Sequence, residues 1–129
     1  YNKLLACDNA VYCALSMMRI VLNRINPILN QYDYPELSIK IGVGEGENII
    51  VQYDHDESSP IDILGYCISI AAKITSITDP NRITIGEDVY NSLHPVLKTR
   101  FRGLSNRIED WKYTNRQTGQ LYKLYVMEY

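Results

Sequence analysis

Cysteine is scarce: Cys7, Cys13 and Cys67 are the only three, an odd set in which no pair has CxxC spacing. That excludes a disulfide framework or a zinc ribbon and points to a reducing, cytoplasmic compartment. An excess of charge of one sign is also lacking. Thirteen Lys and Arg against fifteen Asp and Glu leave a formal charge of −2, so there is no basic footprint for DNA or RNA. No apolar run approaches the roughly 20 residues of a membrane span, and no basic-then-apolar segment opens the chain. No repeat, low-complexity tract or linker divides the 129 residues, a length that suits a single domain with a real core. Because residue 1 is Tyr rather than Met, the expectation is a fragment whose upstream sequence is absent.

What is there is a sequence of short amphipathic elements. From Leu5 through Leu29, apolar residues recur at three- and four-residue steps, which predicts a long helix with one buried stripe; Pro27 should kink or end it near Asn26. "LSIKIGVG" and "NIIVQYD" alternate as strands and, joined by "EGE", predict a β-hairpin. A polar loop, "HDESSP", then leads to a helix over "PIDILGYCISIAAK", residues 60 to 73 and onward. "RITI" reads as a strand and "GEDVYNSL" as a short helix. "RFRGL" is strand-like, and "DWKYTN" with "GQLYKLYVME" around "RQTG" forms a second hairpin. The order defines an α+β fold, with helices packed on a mostly antiparallel sheet.

Few motifs carry chemistry on their own. "GVGEGE" lacks a following GK[ST] and a helix start, so it reads as a hairpin connection rather than a phosphate cradle. His55 among Asp54, Asp56 and Glu57 could ligate a hard cation but fits a solvated charge run better, and His94 has no sequence partner. No Ser lies in a nucleophile elbow, and no Cys has a helper. On a helix from Pro60, Asp62, Tyr66, Ser69, Lys73 and Ser76 share one polar stripe, and Ile63, Cys67, Ile70, Ile74 and Ile77 an apolar one. Two readings of that stripe stand open. In one, Ser59 caps the helix, Pro60 opens it and Asp62 closes a capping box, with the remainder facing water. In the other, Asp62, Ser69 and Lys73 belong to a nucleotide site.

The second reading rests on resemblance. "IDILGYCISIAAKITSITDPNRITIGEDVYNSL" resembles the class III adenylate/guanylate cyclase homology domain, whose pattern is an Asp, two residues, a Gly and V-N-x-A-[AS]-R, then a short strand and a helix. "LSIKIGVGEGE" is similar to the family's R-x-G-I-x-x-G strand, and "LACDNAVYCALSMM" to the helix before it. The likeness is specific over about residues 37 to 93 and weak in the tail. GGDEF-type cyclases share a similar strand, but their signature turn and helix are missing.

The resemblance implies a ferredoxin-like, cyclase-like fold over residues 1–129, a partial homology domain lacking its N-terminal metal-binding portion. It implies a homodimer with a shared site for ATP or another purine nucleotide. Asp62 falls where adenylate-forming members accept the adenine amino group; a carboxylate there would repel guanine's carbonyl oxygen. Ser69 stands where the family has Asn, orienting ribose and triphosphate. Lys73 stands where it has Arg, stabilising charge on the transferring phosphoryl group. Both are departures: Ser is shorter, and Lys loses the planar fork. The family's Mg²⁺ or Mn²⁺ is held by two Asp residues expected upstream of Tyr1, and Asp8 and Asp33 lie in the wrong contexts to replace them. The resemblance therefore implies conversion of ATP to cyclic AMP and pyrophosphate if the portion before Tyr1 is restored. The alternative is a degenerate domain that senses nucleotide or mediates dimerisation. Lys112, Arg116 and Lys123 are candidates for a second phosphate-contacting side chain.

Overall fold

The computed structural model describes residues 3–54, 57–104, 111–115 and 117–128. Helix α1 (Lys3–Ile20) runs through one wide π-helical turn (Val21–Ile25) into α2 (Asn26–Gln31). Of the two outcomes expected at Pro27, a kink or an end, the helix does not end: it continues through an irregular turn just before the proline. In a regular ladder its ring would meet the carbonyl four residues back, with no N–H to bond it. The wide turn, in which the Asn26 amide donates to the Val21 carbonyl, absorbs that misfit. Asn26 is buried, and its side chain clamps the following loop by donating to the Leu37 carbonyl at 2.9 Å and accepting from the Leu37 amide at 2.8 Å.

The main sheet has strand order β1-β4-β6-β5, formed by β1 (Lys40–Val43), β4 (Arg82–Gly86), β5 (Arg102–Gly103) and β6 (Leu124–Glu128). β1 and β4 are parallel, and the other pairs antiparallel. Asn81, in the left-handed region at φ 61°, donates its amide to the Ile39 carbonyl at 2.7 Å and sets the β1–β4 register. The expected hairpin of β1 with the next strand is not formed. β2 (Ile49–Gln52) pairs antiparallel with β3 (Ile61–Leu64), with Ile50 opposite Ile63 and Val51 opposite Asp62, as a separate ribbon.

The helix expected from residue 60 is likewise corrected. Residues 61–64 are strand β3, and helix α3 spans Tyr66–Ile77. Two features override the helical period. The Ile-rich segment finds a β-branched partner in Ile49–Gln52. Gly65, the N-cap, sits against the 47–48 turn so closely that a methyl group there would lie 2.5 Å from Asn48 Oδ1 and 2.9 Å from the Glu47 carbonyl oxygen. Ser59, Pro60 and Asp62 consequently form no capping box. "GVGEGE" is neither a phosphate cradle nor the turn of a hairpin between its flanking strands; it carries the chain out of β1 and along α3.

Alternation along the strands divides the core. On one sheet face Ile83, Ile85 and Met127 pack with Val11, Leu15 and Met18 of α1, Val89 of α4 (Glu87–Ser92) and Leu97 of α5 (Pro95–Lys98). On the other, Leu124 and Tyr122 pack with Ile70 and Ile74 of α3 and with Trp111. The second expected hairpin is present in outline: Thr114 bridges Leu121, and the Tyr122 amide donates to the Tyr113 carbonyl at 2.8 Å.

Glycines bring α3 onto β1. A methyl group on Gly46 would lie 2.8 Å from Cys67 Cβ, one on Gly44 3.3 Å from Ala71 Cβ, and one on Gly42 2.7 Å from the Thr75 amide nitrogen and in collision with the Thr75 hydroxyl. Alternate residues of extended chain advance roughly 6.6 Å and every fourth residue of a helix about 6 Å, so the two rows stay in step. Gly103, by contrast, has open space around it. Gly42→Ala should therefore destabilise the fold by about 1–3 kcal/mol in denaturant unfolding, while Gly103→Ala should stay within about 0.5 kcal/mol of wild type.

Candidate functional site

Because α3 turns Cys67, Ala71 and Thr75 toward the glycine row and Ile70 and Ile74 toward the sheet, its opposite face carries Ser69, Lys73 and Ser76. Ser69 is exposed and Lys73 half-buried. They lie one helical turn apart, and neither side chain has a hydrogen-bond or ionic partner among the described residues. Asp62 is exposed on β3, not on the helix, so the single stripe expected from Pro60 is split between two elements that meet at Gly65.

Asp62 is held in place. Its Oδ1 accepts from the Ile63 amide at 2.8 Å, and its Oδ2 accepts from the Tyr53 hydroxyl at 3.0 Å. That hydrogen bond, with the nearby carboxylate charge, raises the Tyr53 phenol above its ordinary value. Each carboxylate oxygen keeps acceptor capacity for a further donor. Sequence reasoning missed Tyr53 because its role depends on the β2–β3 register: with Val51 opposite Asp62, Tyr53 is the diagonal neighbour on the next step.

Between α3 and the loop after β1 lies a cleft of about 520 Å³, bordered by Gly44, Asn48, Cys67 and Ala71. Glu45 and Glu47 also line it, and the Cys67 thiol donates to Asn48 Oδ1 at 2.8 Å. A smaller recess beside it reaches Tyr66, Asp88 and Tyr122. There the Tyr122 hydroxyl donates to Asp88 Oδ2 at 3.0 Å and accepts from the Asp88 amide at 3.3 Å, while Asn115 donates to Glu87 Oε1 at 2.6 Å.

Other candidates are placed more simply. His94 caps α5, its Nδ1 accepting from the Val96 amide at 3.2 Å, and its own amide donates to Asp8 Oδ1 at 2.9 Å. Both residues thus have structural roles. Lys112 and Lys123 are exposed, each next to a buried aromatic, Trp111 and Tyr122. Arg116, His55 and Asp56 lie outside the described residues. Among the described residues no three His, Cys, Asp or Glu side chains gather where a metal ion could be held. The described residues thus offer no set that would hold the Mg²⁺ or Mn²⁺ implied by the resemblance. No helix among the described residues is long and apolar enough to cross a membrane.

No protein-family model matches the chain, and no curated protein matches it. Solved structures do. The guanylyl cyclase Cya2 superposes with a TM-score of 0.69 at 14% identity, over 94% of this chain and 57% of that one. The catalytic core of a rhodopsin-guanylyl cyclase with converted specificity, in complex with ATPalphaS, superposes at 0.62 and 17% identity, over 95% of this chain and 59% of that one. The fold is that of class III nucleotide cyclase catalytic domains, and the chain spans a little under three fifths of the length of these two neighbours.

Burial raises the Tyr122 phenol well above its ordinary value of 10.0, and the Asp88 and Glu87 charges add to the rise. A phenol whose folded-state value exceeds its unfolded one contributes stability that is fully present below pH 10 and is lost as the pH rises through that value toward the folded one. The unfolding midpoint should fall between pH 9 and pH 11, and Tyr122→Phe should flatten that fall when the two are compared by thermal melts.

Proposed function

We propose that the chain is a nucleotide cyclase-like unit that binds ATP, with Asp62 reading the adenine amino group and Ser69 and Lys73 contacting ribose and phosphates at a site completed by a second copy of the chain. The observation that carries this reading is the division of labour on α3. The side chains that pack the helix lie on one face, while Ser69 and Lys73, whose side chains have no partner among the described residues, lie on the other, and Asp62, on the strand that precedes the helix, is fixed by two donors. The cyclase fold of the two solved neighbours supports it.

The second copy is argued from the ribbon. Ile49, Ile50, Ile61, Ile63 and Leu64 are 47 to 72% exposed on a two-stranded element that is marginal by itself. An apolar ribbon leading directly into α3 suits a partner that both covers it and closes the site. Ile50→Lys should weaken self-association at least about tenfold in sedimentation equilibrium, because it places a charge within a desolvated contact; unchanged association would remove the ribbon from the interface.

Turnover, ATP to cyclic AMP and pyrophosphate, is assigned to the chain together with the part of a catalytic domain that these residues do not span. The test is incubation of the full-length protein with ATP or GTP and Mg²⁺ or Mn²⁺, with product separated by chromatography. Cyclic AMP should form, and Asp62→Asn should reduce the preference for ATP over GTP about tenfold, since the amide can donate to the guanine carbonyl. Absence of both product and nucleotide binding would sink the proposal. A second reading is favoured by Ser69 and Lys73 themselves: a hydroxyl and a point charge grip a triphosphate less specifically than an amide and a planar fork. ATP binding by calorimetry without turnover would identify a nucleotide-sensing or dimerisation module.

A further inference from the structure

Asp62 is not a lone carboxylate, because the ribbon delivers a tyrosine to it. Tyr53 follows β2 directly, and its amide extends the ladder by donating to the Pro60 carbonyl at 3.4 Å, one step beyond the Gln52–Ile61 pair. That step sets its side chain diagonally across from Asp62 on the same face, where the hydroxyl donates to Oδ2 at 3.0 Å. Tyr53 is 66% exposed, so the contact does not pack a core. Its proton is held firmly, since the hydrogen bond and the carboxylate charge raise the phenol above its ordinary value.

A phenol has a single proton to donate and otherwise offers lone pairs. With that proton on Oδ2 and the Ile63 amide proton on Oδ1, the pair shows an approaching base nothing but lone pairs. An exocyclic amino group satisfies them, whereas a carbonyl oxygen in the same place meets only acceptors. Asp62 alone would not guarantee this. An unheld carboxylate can turn aside, and a free phenol can turn its proton toward a carbonyl; each side chain removes the other's alternative. The pairing also dictates what Asp62→Asn does. Its oxygen keeps the Ile63 amide, its nitrogen stands where Oδ2 stood and donates to the phenol oxygen, and the bond runs in reverse. The Tyr53 proton is then released to a carbonyl.

We propose that Tyr53 is a specificity-determining residue of the purine site, selecting a base with an amino group over one with a carbonyl at the same ring position by committing its hydroxyl proton to Asp62. This rests on the reading that Asp62 faces the base. ATP and inosine triphosphate, which carry the amino group and the carbonyl on otherwise matching purines, are titrated calorimetrically into the full-length protein, its Tyr53→Phe and Asp62→Asn variants, and the double variant. Tyr53→Phe should lower the preference for ATP about threefold and Asp62→Asn about tenfold. In the Asp62→Asn background the sign reverses: adding Tyr53→Phe should weaken inosine triphosphate about threefold and leave ATP unchanged, so the preference for ATP rises. A merely structural tyrosine would move both nucleotides together in both backgrounds, and melting temperatures check that every variant is folded. An Asp62-dependent preference that Tyr53→Phe leaves unaltered in both backgrounds overturns this inference and spares the reading of Asp62, as does an equal loss of both nucleotides in Tyr53→Phe. Binding of neither nucleotide by wild type, or the same preference in wild type and Asp62→Asn, overturns the reading of Asp62 and this inference with it.

Discussion

With no side chain on Gly42, Gly44 or Gly46, α3 comes down onto the extended chain until Thr75, Ala71 and Cys67 touch its backbone. That close approach governs most of what the molecule presents. It fixes the rotation of α3, so Ile70 and Ile74 enter the core beside Leu124 and Tyr122 while Ser69 and Lys73 are turned away. It also holds the segment after β1 along the helix, so β2 begins far enough out to meet β3 rather than fold back on β1. Asp62, Tyr53 and the apolar ribbon all take their positions from that displacement.

Much of the architecture could be read from periodicity. The α1 stripe, the strand at "RITI" and the helix after it all appear where their patterns place them, because each satisfies its own period against a continuous core. The fold class was legible too. The strand errors share a physical cause: at each, a long-range partner outweighed a local signal. "IDIL" fits a helical stripe as well as it fits a strand, and only pairing with Ile49–Gln52 decides between them. The Pro60 and Ser59 capping signal is sound local chemistry displaced by that pairing. Pro27 could not announce that a wide turn before it would absorb its missing donor. Asp62, Ser69 and Lys73 could be singled out as candidates by residue type and spacing, but Tyr53 could not, since a diagonal neighbour exists only once the register is known.

The two sheet faces follow different chemistries. The α1 side is mainly aliphatic around Ile83, Ile85 and Met127, with Phe101 and the stacked Tyr90–Tyr125 pair at its margin. The α3 side mixes aromatic packing with buried polar groups: Trp111 donates its indole N–H to the Tyr122 carbonyl at 2.7 Å, and the Tyr122 hydroxyl reaches Asp88. Hydrogen bonds there constrain orientation where aliphatic packing alone would tolerate rearrangement. A face that must hold α3 at one angle benefits from that specificity.

Trp111 is the chain's sole tryptophan, 3% exposed and flanked by Tyr113 and Tyr122 at ring separations of 4.9 and 6.4 Å. Its emission colour is thus set by one half of the interior alone. Tryptophan emission during melting follows the Trp111 half directly, whereas the half behind the sheet, with Phe101 and the stacked Tyr90–Tyr125 pair but no tryptophan, is silent in that channel.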